Sequence, residues 1–146
     1  MQPSPVSEDA IRRLLDEQVA AWNAGDAEGW CRDFTEDSEF VNIIGARFEN
    51  RSANLRRHAD LFATIFKGSR LVVREMRIRV LGTSAAFADL VLDLTGFSKL
   101  PPGIRPSIGN DVLRTRMHYV LIHDGTRWWI VFSQNNAVMP LPPPPE

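Results

Sequence analysis

The sequence contains a single cysteine, Cys31, which excludes an internal disulfide and a metal site built from several cysteines. No apolar run approaches the length of a membrane-spanning helix, and the first residues lack the charged and apolar regions of a signal peptide. The 17 Lys and Arg residues nearly balance the 18 Asp and Glu residues, and the net charge of −1 disfavours nucleic acid or a membrane surface as a partner. We therefore expect a cytoplasmic protein with neither kind of partner.

Patterns for metals and cofactors are also lacking. The sequence has no glycine-rich phosphate loop and no nucleophile elbow. Its three histidines, His58, His118 and His123, form no His-x-x-x-His pair, and no carboxylates are grouped with them. We expect no metal site and no cofactor, so any chemistry must come from ordinary side chains.

The chain length fits one domain. With 146 residues, roughly 68–70% of the surface of the unfolded chain can be buried, which allows a single well-formed core. Residues 140–146 hold five of the ten prolines. We expect a single domain over residues 7–139, with flexible Pro-rich tails at 1–6 and 140–146. The C-terminal tail is either a disordered end or a segment that docks in an aromatic groove of another protein.

Hydrophobic periodicity predicts three helices and a run of strands. Ser7 is interpreted as a helix N-cap, Gly25 as a helix stop and Asp26 as the cap of the next helix. Asp124-Gly125 predicts a tight hairpin turn. The predicted helices are 7–23, 26–32 and 51–66, and the predicted strands are 38–44, 70–81, 85–97, 110–123 and 128–138. This order predicts an α+β fold in which helices close over a curved antiparallel sheet.

The order of these elements, together with several short patterns, resembles the nuclear transport factor 2-like superfamily, and most closely the SgcJ/EcaC family of SnoaL-like proteins. The patterns are Trp22-Asn23-x-Gly25-Asp26, Phe34-x-x-Asp37, Phe40-Val41-Asn42, His58 ahead of Phe62-x-x-x-Phe66-Lys67-Gly68-Ser69-Arg70-Leu71, and Trp128-x-Ile130-x-x-x-Gln134-Asn135. The resemblance implies a cone-shaped fold over residues 7–139, with a bent antiparallel sheet around three helices, a central pocket and commonly a homodimer. Members include isomerases, dehydratases, cyclases and non-catalytic scaffolds, so the fold alone does not set the function.

The resemblance allows one known mechanism to be compared position by position. Ketosteroid isomerase removes a proton with an Asp base and holds the oxyanion with a Tyr and a protonated Asp. The similar hinge sequence aligns that Tyr with Gln18, the base with Asn42 and the protonated Asp with a position near Tyr119. An amide cannot abstract a carbon-bound proton at neutral pH. The ketosteroid isomerase mechanism with an Asp base is therefore disfavoured.

Helix and strand periodicity direct a set of polar side chains toward one predicted cavity. His58, on the inner face of the third helix, is the candidate acid or base, and Tyr119 is the second catalytic candidate. Structural alternatives are a hydrogen-bonded core histidine for His58, and a mutual hydrogen bond between Asn42 and Gln134. The candidate ligand-binding residues are Gln18, Trp22, Phe40, Asn42, Phe62, Met117, Gln134 and Asn136, and Ile130 and Phe132 complete the predicted wall.

Two functions of different classes remain open. One is a cofactor-independent isomerase, cyclase or dehydratase for a small apolar organic molecule, with proton transfer by His58 and an oxyanion held by Tyr119 and an amide. The other is a non-catalytic ligand-binding or dimeric assembly module. Asp89 and Asp93 share a strand face that points either into the pocket or toward a dimer surface. Residues 96–109 are either a lid over the pocket or a surface loop.

Overall fold

The computed structural model describes residues 5–139, which form three helices and a six-stranded sheet. The helices are α1 (Pro5–Asn23), α2 (Ala27–Cys31) and α3 (Arg51–Ala63), and the strands are β1 (Phe34–Val41), β2 (Arg47–Phe48), β3 (Arg70–Leu81), β4 (Ala85–Thr95), β5 (Leu113–His123) and β6 (Trp128–Ala137). The predicted α+β fold, with a curved sheet packed against N-terminal helices, is confirmed. Most of the two predicted tails, residues 1–4 and 140–146, lies outside the described residues. No helix within residues 5–139 combines the length and apolar character needed to cross a membrane.

Local sequence signals set the ends of the first two helices. α1 begins at Pro5, two residues before the predicted cap at Ser7, in agreement with the preference of proline for the first helical turn. Gly25 follows α1 in a left-handed conformation, with φ of 66°. The Asp26 carboxylate accepts a hydrogen bond from Gly29 N at 3.0 Å and so caps α2. The predicted helix stop and second cap are therefore confirmed, and the Ser7 cap is wrong.

The strands follow the order β2-β1-β6-β5-β4-β3, in which β1 and β6 are parallel and the other neighbours are antiparallel. Alternation along β4 sends Leu90, Leu92 and Leu94 into the core, whereas Asp89 and Asp93 lie on the opposite side of the sheet. We call these sides the inner and outer faces. The core lies between the inner face and the helices.

β6 contains a β-bulge near its middle. Val120 of β5 pairs with Phe132, but the next residue, Leu121, pairs with Ile130. Val131 is therefore an extra residue that has no partner of its own on β5. Because side chains alternate with a period of two, one inserted residue moves every later side chain of the strand to the other face.

The bulge overturns one prediction about the pocket. Beyond it, Ser133 lies on the inner face and is fully buried, whereas Gln134 and Asn136 are exposed on the outer face. The prediction that Phe132, Gln134 and Asn136 share an inward face with Ile130 is therefore wrong. The prediction assumed regular alternation through residues 128–138, and no residue in that run signals the extra position.

The long connection between β4 and β5, residues 96–112, packs onto the core along part of its length. Leu100 and Ile104 contact the core cluster, and Pro101 is buried. Ser98 N donates to the carbonyl of Ile65, just beyond α3, at 2.9 Å. This connection therefore covers one end of the space between α3 and the sheet.

Candidate functional site

His58 lies on the buried face of α3. Asn50 caps this helix by accepting a hydrogen bond from Ala53 N at 2.8 Å. The buried residues Asn54, His58 and Leu61 then recur at helical spacing. Only 3% of the surface of His58 remains exposed. The helix therefore holds the imidazole inside the protein, as the sequence predicts.

Three aromatic rings from other elements surround this imidazole, in addition to Phe62 of α3, whose ring centroid lies 6.1 Å away. The ring centroids of Trp30 and Phe40 each lie 5.2 Å from that of His58, and the centroid of Trp22 lies 5.9 Å away. All three rings belong to elements other than α3, so the position of the imidazole depends on the packing of the whole core. The local environment is apolar, and it disfavours a charged imidazolium.

His58 is held as a neutral base whose Nε2 has no hydrogen-bond partner among the described residues, 5–139. Its Nδ1 lies 3.0 Å from the carbonyl oxygen of Asn54. Because a carbonyl oxygen only accepts hydrogen bonds, Nδ1 carries the proton and Nε2 keeps its lone pair. Burial is the main reason why the pKa of His58 is lowered to about 4, and the positive charge of Arg57 lowers it further. The hydrogen bond to the Asn54 carbonyl acts in the opposite direction and raises the pKa. The imidazole is therefore neutral at pH 7.

His58 lines a cavity of about 60 Å³. This volume holds a few water molecules, whereas pockets for drug-sized ligands measure roughly 300–1,000 Å³. A ligand of that size requires the cavity to widen. Pro101 is the wall residue that lies on the connection 96–112, and this connection belongs to neither a helix nor a strand. The other lining residues are Trp22, Trp30, Phe40, Asn42, Ile43, Arg57, Leu61, Phe66, Leu71, Leu92, Leu94, Leu113, Thr115, Met117 and Asn135.

Three polar atoms on residues of the cavity wall are buried and lack a hydrogen-bond partner within residues 5–139. They are Trp30 Nε1, Arg57 Nε and Asn135 Oδ1. A buried polar group without a partner costs about 1–3 kcal/mol. Water or a bound molecule in the cavity would satisfy these groups. An apolar cavity with a few directional polar groups is the usual composition of a small-molecule site.

Gln18 and Tyr119 form a buried hydrogen-bonded pair that lies outside the cavity lining. The Tyr119 hydroxyl donates to Gln18 Oε1 at 2.7 Å, and Gln18 Nε2 donates to the carbonyl of Trp30 at 3.2 Å. Burial raises the pKa of Tyr119 above its ordinary value. The prediction that these two residues face the cavity is therefore wrong, since each polar group is already satisfied by the other or by the backbone.

The structure places Trp22, Phe40, Asn42 and Met117 on the cavity wall. The oxygen of the Asn42 amide accepts hydrogen bonds from two backbone nitrogens of the turn that follows β1, at 3.2 and 2.8 Å. Both hydrogen bonds of this side chain within residues 5–139 use its oxygen, so its NH₂ group has no partner among these residues. Asn42 therefore shapes the turn before β2 as well as lining the cavity.

Besides Gln18, three other predicted ligand-binding residues do not line the cavity. Phe62 packs edge-on against Trp22, with 4.8 Å between their ring centroids. Gln134 and Asn136 lie on the outer face because of the bulge in β6. Asn135, the residue between them, takes their place on the cavity wall.

Three further polar wall residues, Trp30, Arg57 and Thr115, were not predicted as site residues. Trp30 and Thr115 are buried, and a Trp or Thr in a core reads from sequence as packing. Arg57 precedes His58 and resembles an ordinary solvated arginine on the polar side of a helix. The available signal for Asn135 was its place in the Gln134-Asn135 pattern.

Asp89 and Asp93 lie on the outer face and do not line the cavity. The Asp89 carboxylate lies 2.7 Å from Arg77 Nη2 and 3.0 Å from His118 Nε2. The Asp93 carboxylate lies 2.8 Å from Arg114 Nε. The Arg114 hydrogen bond is the main reason why the pKa of Asp93 lies below its ordinary value. The alternation of side chains along β4 therefore directs both carboxylates away from the pocket. No carboxylate within residues 5–139 lines the cavity.

A larger groove of about 780 Å³ lies between α1, α2 and the turn between β5 and β6. It is open and is lined by charged side chains that already pair with one another, such as Arg32 with Glu17 and Arg127 with Asp33. Its side chains include no buried base comparable to His58. We therefore take the smaller cavity as the candidate site.

Solved structures with a similar fold exist, whereas sequence comparison finds no relative. No protein-family model matches the chain, and no curated protein gives a significant match. Among solved structures, a protein from Caulobacter vibrioides with a cystatin-like fold is 22% identical, with a TM-score of 0.79 over 92% of this chain and 91% of that chain. A nuclear transport factor 2-like protein of unknown function from Pseudomonas putida is 17% identical, with a TM-score of 0.77 over 97% of this chain and 100% of that chain.

A structure from Novosphingobium aromaticivorans named Putative Scytalone Dehydratase is 17% identical, with a TM-score of 0.75 over 92% of this chain and 85% of that chain. The chain has the nuclear transport factor 2-like fold. The fold that the sequence resemblance implies is thereby confirmed, whereas the SgcJ/EcaC family stays a prediction. At these identities the nuclear transport factor 2-like neighbours show the fold alone, so the function must be argued from the cavity.

Proposed function

We propose that the cavity binds a small, mostly apolar organic molecule that contains a carbonyl group. His58 removes a proton from the carbon next to the carbonyl group of this molecule. The observation that supports this proposal is the neutral imidazole, whose Nδ1 is bound to the Asn54 carbonyl and whose Nε2 is free, in an apolar cavity. A general base needs a lone pair within reach of the substrate, and Nε2 supplies it.

The electron pair of the broken C–H bond moves onto the carbonyl oxygen, and the proton moves to Nε2. Arg57 Nε and Trp30 Nε1 are buried N–H donors without partners in the described part of the chain, and such donors stabilise a developing oxyanion. This replaces the predicted role of Tyr119, whose hydroxyl already donates to Gln18. Oxyanion charge near Arg57 also favours the imidazolium form of His58, which compensates for its low basicity in the empty cavity.

Return of the proton to another carbon completes an isomerisation, and its transfer to a leaving hydroxyl group completes a dehydration. Neither reaction needs a cofactor. The structural likeness to the protein named Putative Scytalone Dehydratase favours dehydration as one of the reactions to test. The nuclear transport factor 2-like fold itself hosts several functions and does not choose between them.

A non-catalytic binding protein is the second candidate. The observation that favours it is the weak basicity of His58, whose pKa of about 4 lies far below neutral pH, together with a Tyr119 hydroxyl that is already engaged. In this case the cavity binds the same class of molecule without turning it over. The homodimer expected from the sequence also stays a proposal, and the exposed Val72 on β3 is a candidate for its contact surface.

Thr115→Leu tests whether the cavity is the binding site. Thr115 is buried on the wall, so the larger apolar side chain fills the cavity, and we expect binding of 2-tetralone to weaken by about tenfold or more. Val120→Leu is the matched control, because Val120 lies on the outer face of the same strand and is 38% exposed. Ligand-observed NMR measures binding, and thermal unfolding shows that both variants fold. Unchanged binding in folded Thr115→Leu would contradict the proposal.

A further inference from the structure

The cavity has an uneven distribution of charge. Arg57 is the single charged side chain on its wall within residues 5–139. Its Nη1 lies 3.8 Å from Asp60, but the side chain of Asp60 is 65% exposed and that of Arg57 only 31%. An exposed pair at this distance is weak. Arg57 Nε is buried and has no hydrogen-bond partner within residues 5–139. The guanidinium is therefore only partly compensated by the protein itself.

A second buried donor lies on the cavity wall. Trp30 Nε1 has no hydrogen-bond partner within residues 5–139, whereas the third such atom, Asn135 Oδ1, is itself an acceptor. A guanidinium and an indole N–H only donate hydrogen bonds, so the missing partner must carry acceptor oxygens. A carboxylate offers two oxygens and matches the fork of an arginine, with charge-assisted hydrogen bonds that are stronger than those to a neutral amide.

A large part of the remaining wall is apolar. Leu92, Leu94, Leu113 and Met117 of the inner face close one side, and Leu61 of α3 faces the same space. Because Arg57 is partly exposed while these residues are buried, the charged end of the cavity is its mouth. A molecule that satisfies both ends has an acidic group at one end and an apolar ring or chain at the other.

Resting on the function proposed above, we infer that the ligand is an organic carboxylate, whose acid group binds Arg57 at the mouth and whose apolar part lies inside against the leucines and Met117. The carboxylate then takes up the Arg57 guanidinium, so Trp30 Nε1 is the donor that stays with the oxyanion, and the carbon that reacts with His58 lies beyond the carboxylate. The inference narrows the ligand class from apolar molecules in general to apolar carboxylic acids.

Benzoate and benzamide test the inference, because they share one ring and differ in charge. We expect the wild-type protein to bind benzoate at least about tenfold more tightly than benzamide, as measured by ligand-observed NMR at neutral pH. Arg57→Gln should remove this preference, and Arg57→Lys should restore part of it. Arg56→Gln is the matched control, since Arg56 is exposed and its guanidinium donates to Ser52.

Each outcome has a defined meaning. Equal binding of the two compounds by the wild-type protein, or an unchanged preference in folded Arg57→Gln, overturns the carboxylate inference and leaves the proposed binding function in place. Loss of the preference in Arg56→Gln as well assigns it to general surface charge and also overturns the inference. Failure of the wild-type protein to bind either compound contradicts the inference, while binding of 2-tetralone then decides separately whether the cavity binds organic molecules at all.

Discussion

His58→Gln is expected to slow the exchange of α-hydrogens for deuterium in 2-tetralone by about 10²–10⁴-fold, the usual contribution of a general base. Glutamine retains a polar side chain of similar length but has no lone pair that accepts a proton from carbon. Proton NMR in D₂O measures the exchange without knowledge of the natural substrate. Binding of 2-tetralone should change little, because the apolar wall remains intact.

His118→Gln is the matched control for the loss of a histidine. His118 lies on the outer face, 3.0 Å from Asp89, which keeps its contacts with Arg77 and Arg116 in the variant. Exchange should therefore match that of the wild-type protein. Equal exchange rates in His58→Gln and the wild type would assign the protein to the non-catalytic candidate, provided that both bind 2-tetralone.

Tyr119→Phe is a second control, which separates the oxyanion role predicted from sequence from the structural role seen in the fold. Removal of the hydroxyl leaves Gln18 Oε1 buried without its donor and should lower the free energy of unfolding by about 1–3 kcal/mol. Exchange should persist, because Tyr119 does not line the cavity. Loss of exchange in folded Tyr119→Phe would restore the catalytic role.

The free energy of unfolding is expected to fall by about 3 kcal/mol between pH 7 and pH 4 because of His58 alone, given its pKa of about 4 in the fold and about 6.5 in the unfolded chain. Below pH 6.5 the unfolded chain binds a proton that the folded protein does not bind. Stability is therefore lost as the pH falls, and the loss is complete near the folded-state pKa.

Urea unfolding of the wild type and His58→Gln across this range isolates the contribution. Asp89 and Asp93, whose pKa values are also lowered in the fold, lose their contributions on acidification in both proteins, so their effect cancels in the difference. The wild type should lose about 3 kcal/mol more than the variant between pH 7 and pH 4. Parallel curves would show that His58 is not buried as a neutral imidazole.

Local features of this fold follow from the sequence. The stop at Gly25 and the cap at Asp26 depend on residues within one turn, and the structure confirms both. The inward direction of His58 follows from helical spacing with Asn54 and Leu61. These predictions succeed because each depends on the backbone geometry of a single element.

Features that depend on several strands do not follow from the sequence. Because of the bulge at Val131, Asn135 lies on the cavity wall where regular alternation predicts Gln134. Alternation alone cannot show where a bulge lies. The hydrogen bond between Gln18 and Tyr119 joins residues that are 101 positions apart. The spacing on α1 and β5 correctly predicts that both side chains are buried in the core. Their mutual hydrogen bond holds them away from the cavity, which the spacing does not show.

A pH titration of the imidazole by ¹H–¹⁵N NMR, with and without 2-tetralone, shows whether His58 is a neutral base in the binding cavity. We expect a neutral ring with its proton on Nδ1 at pH 7, a pKa of about 4, and a change in the Nε2 resonance when 2-tetralone binds. A pKa near 6.5, a proton on Nε2, or an Nε2 resonance unchanged by bound 2-tetralone would contradict it.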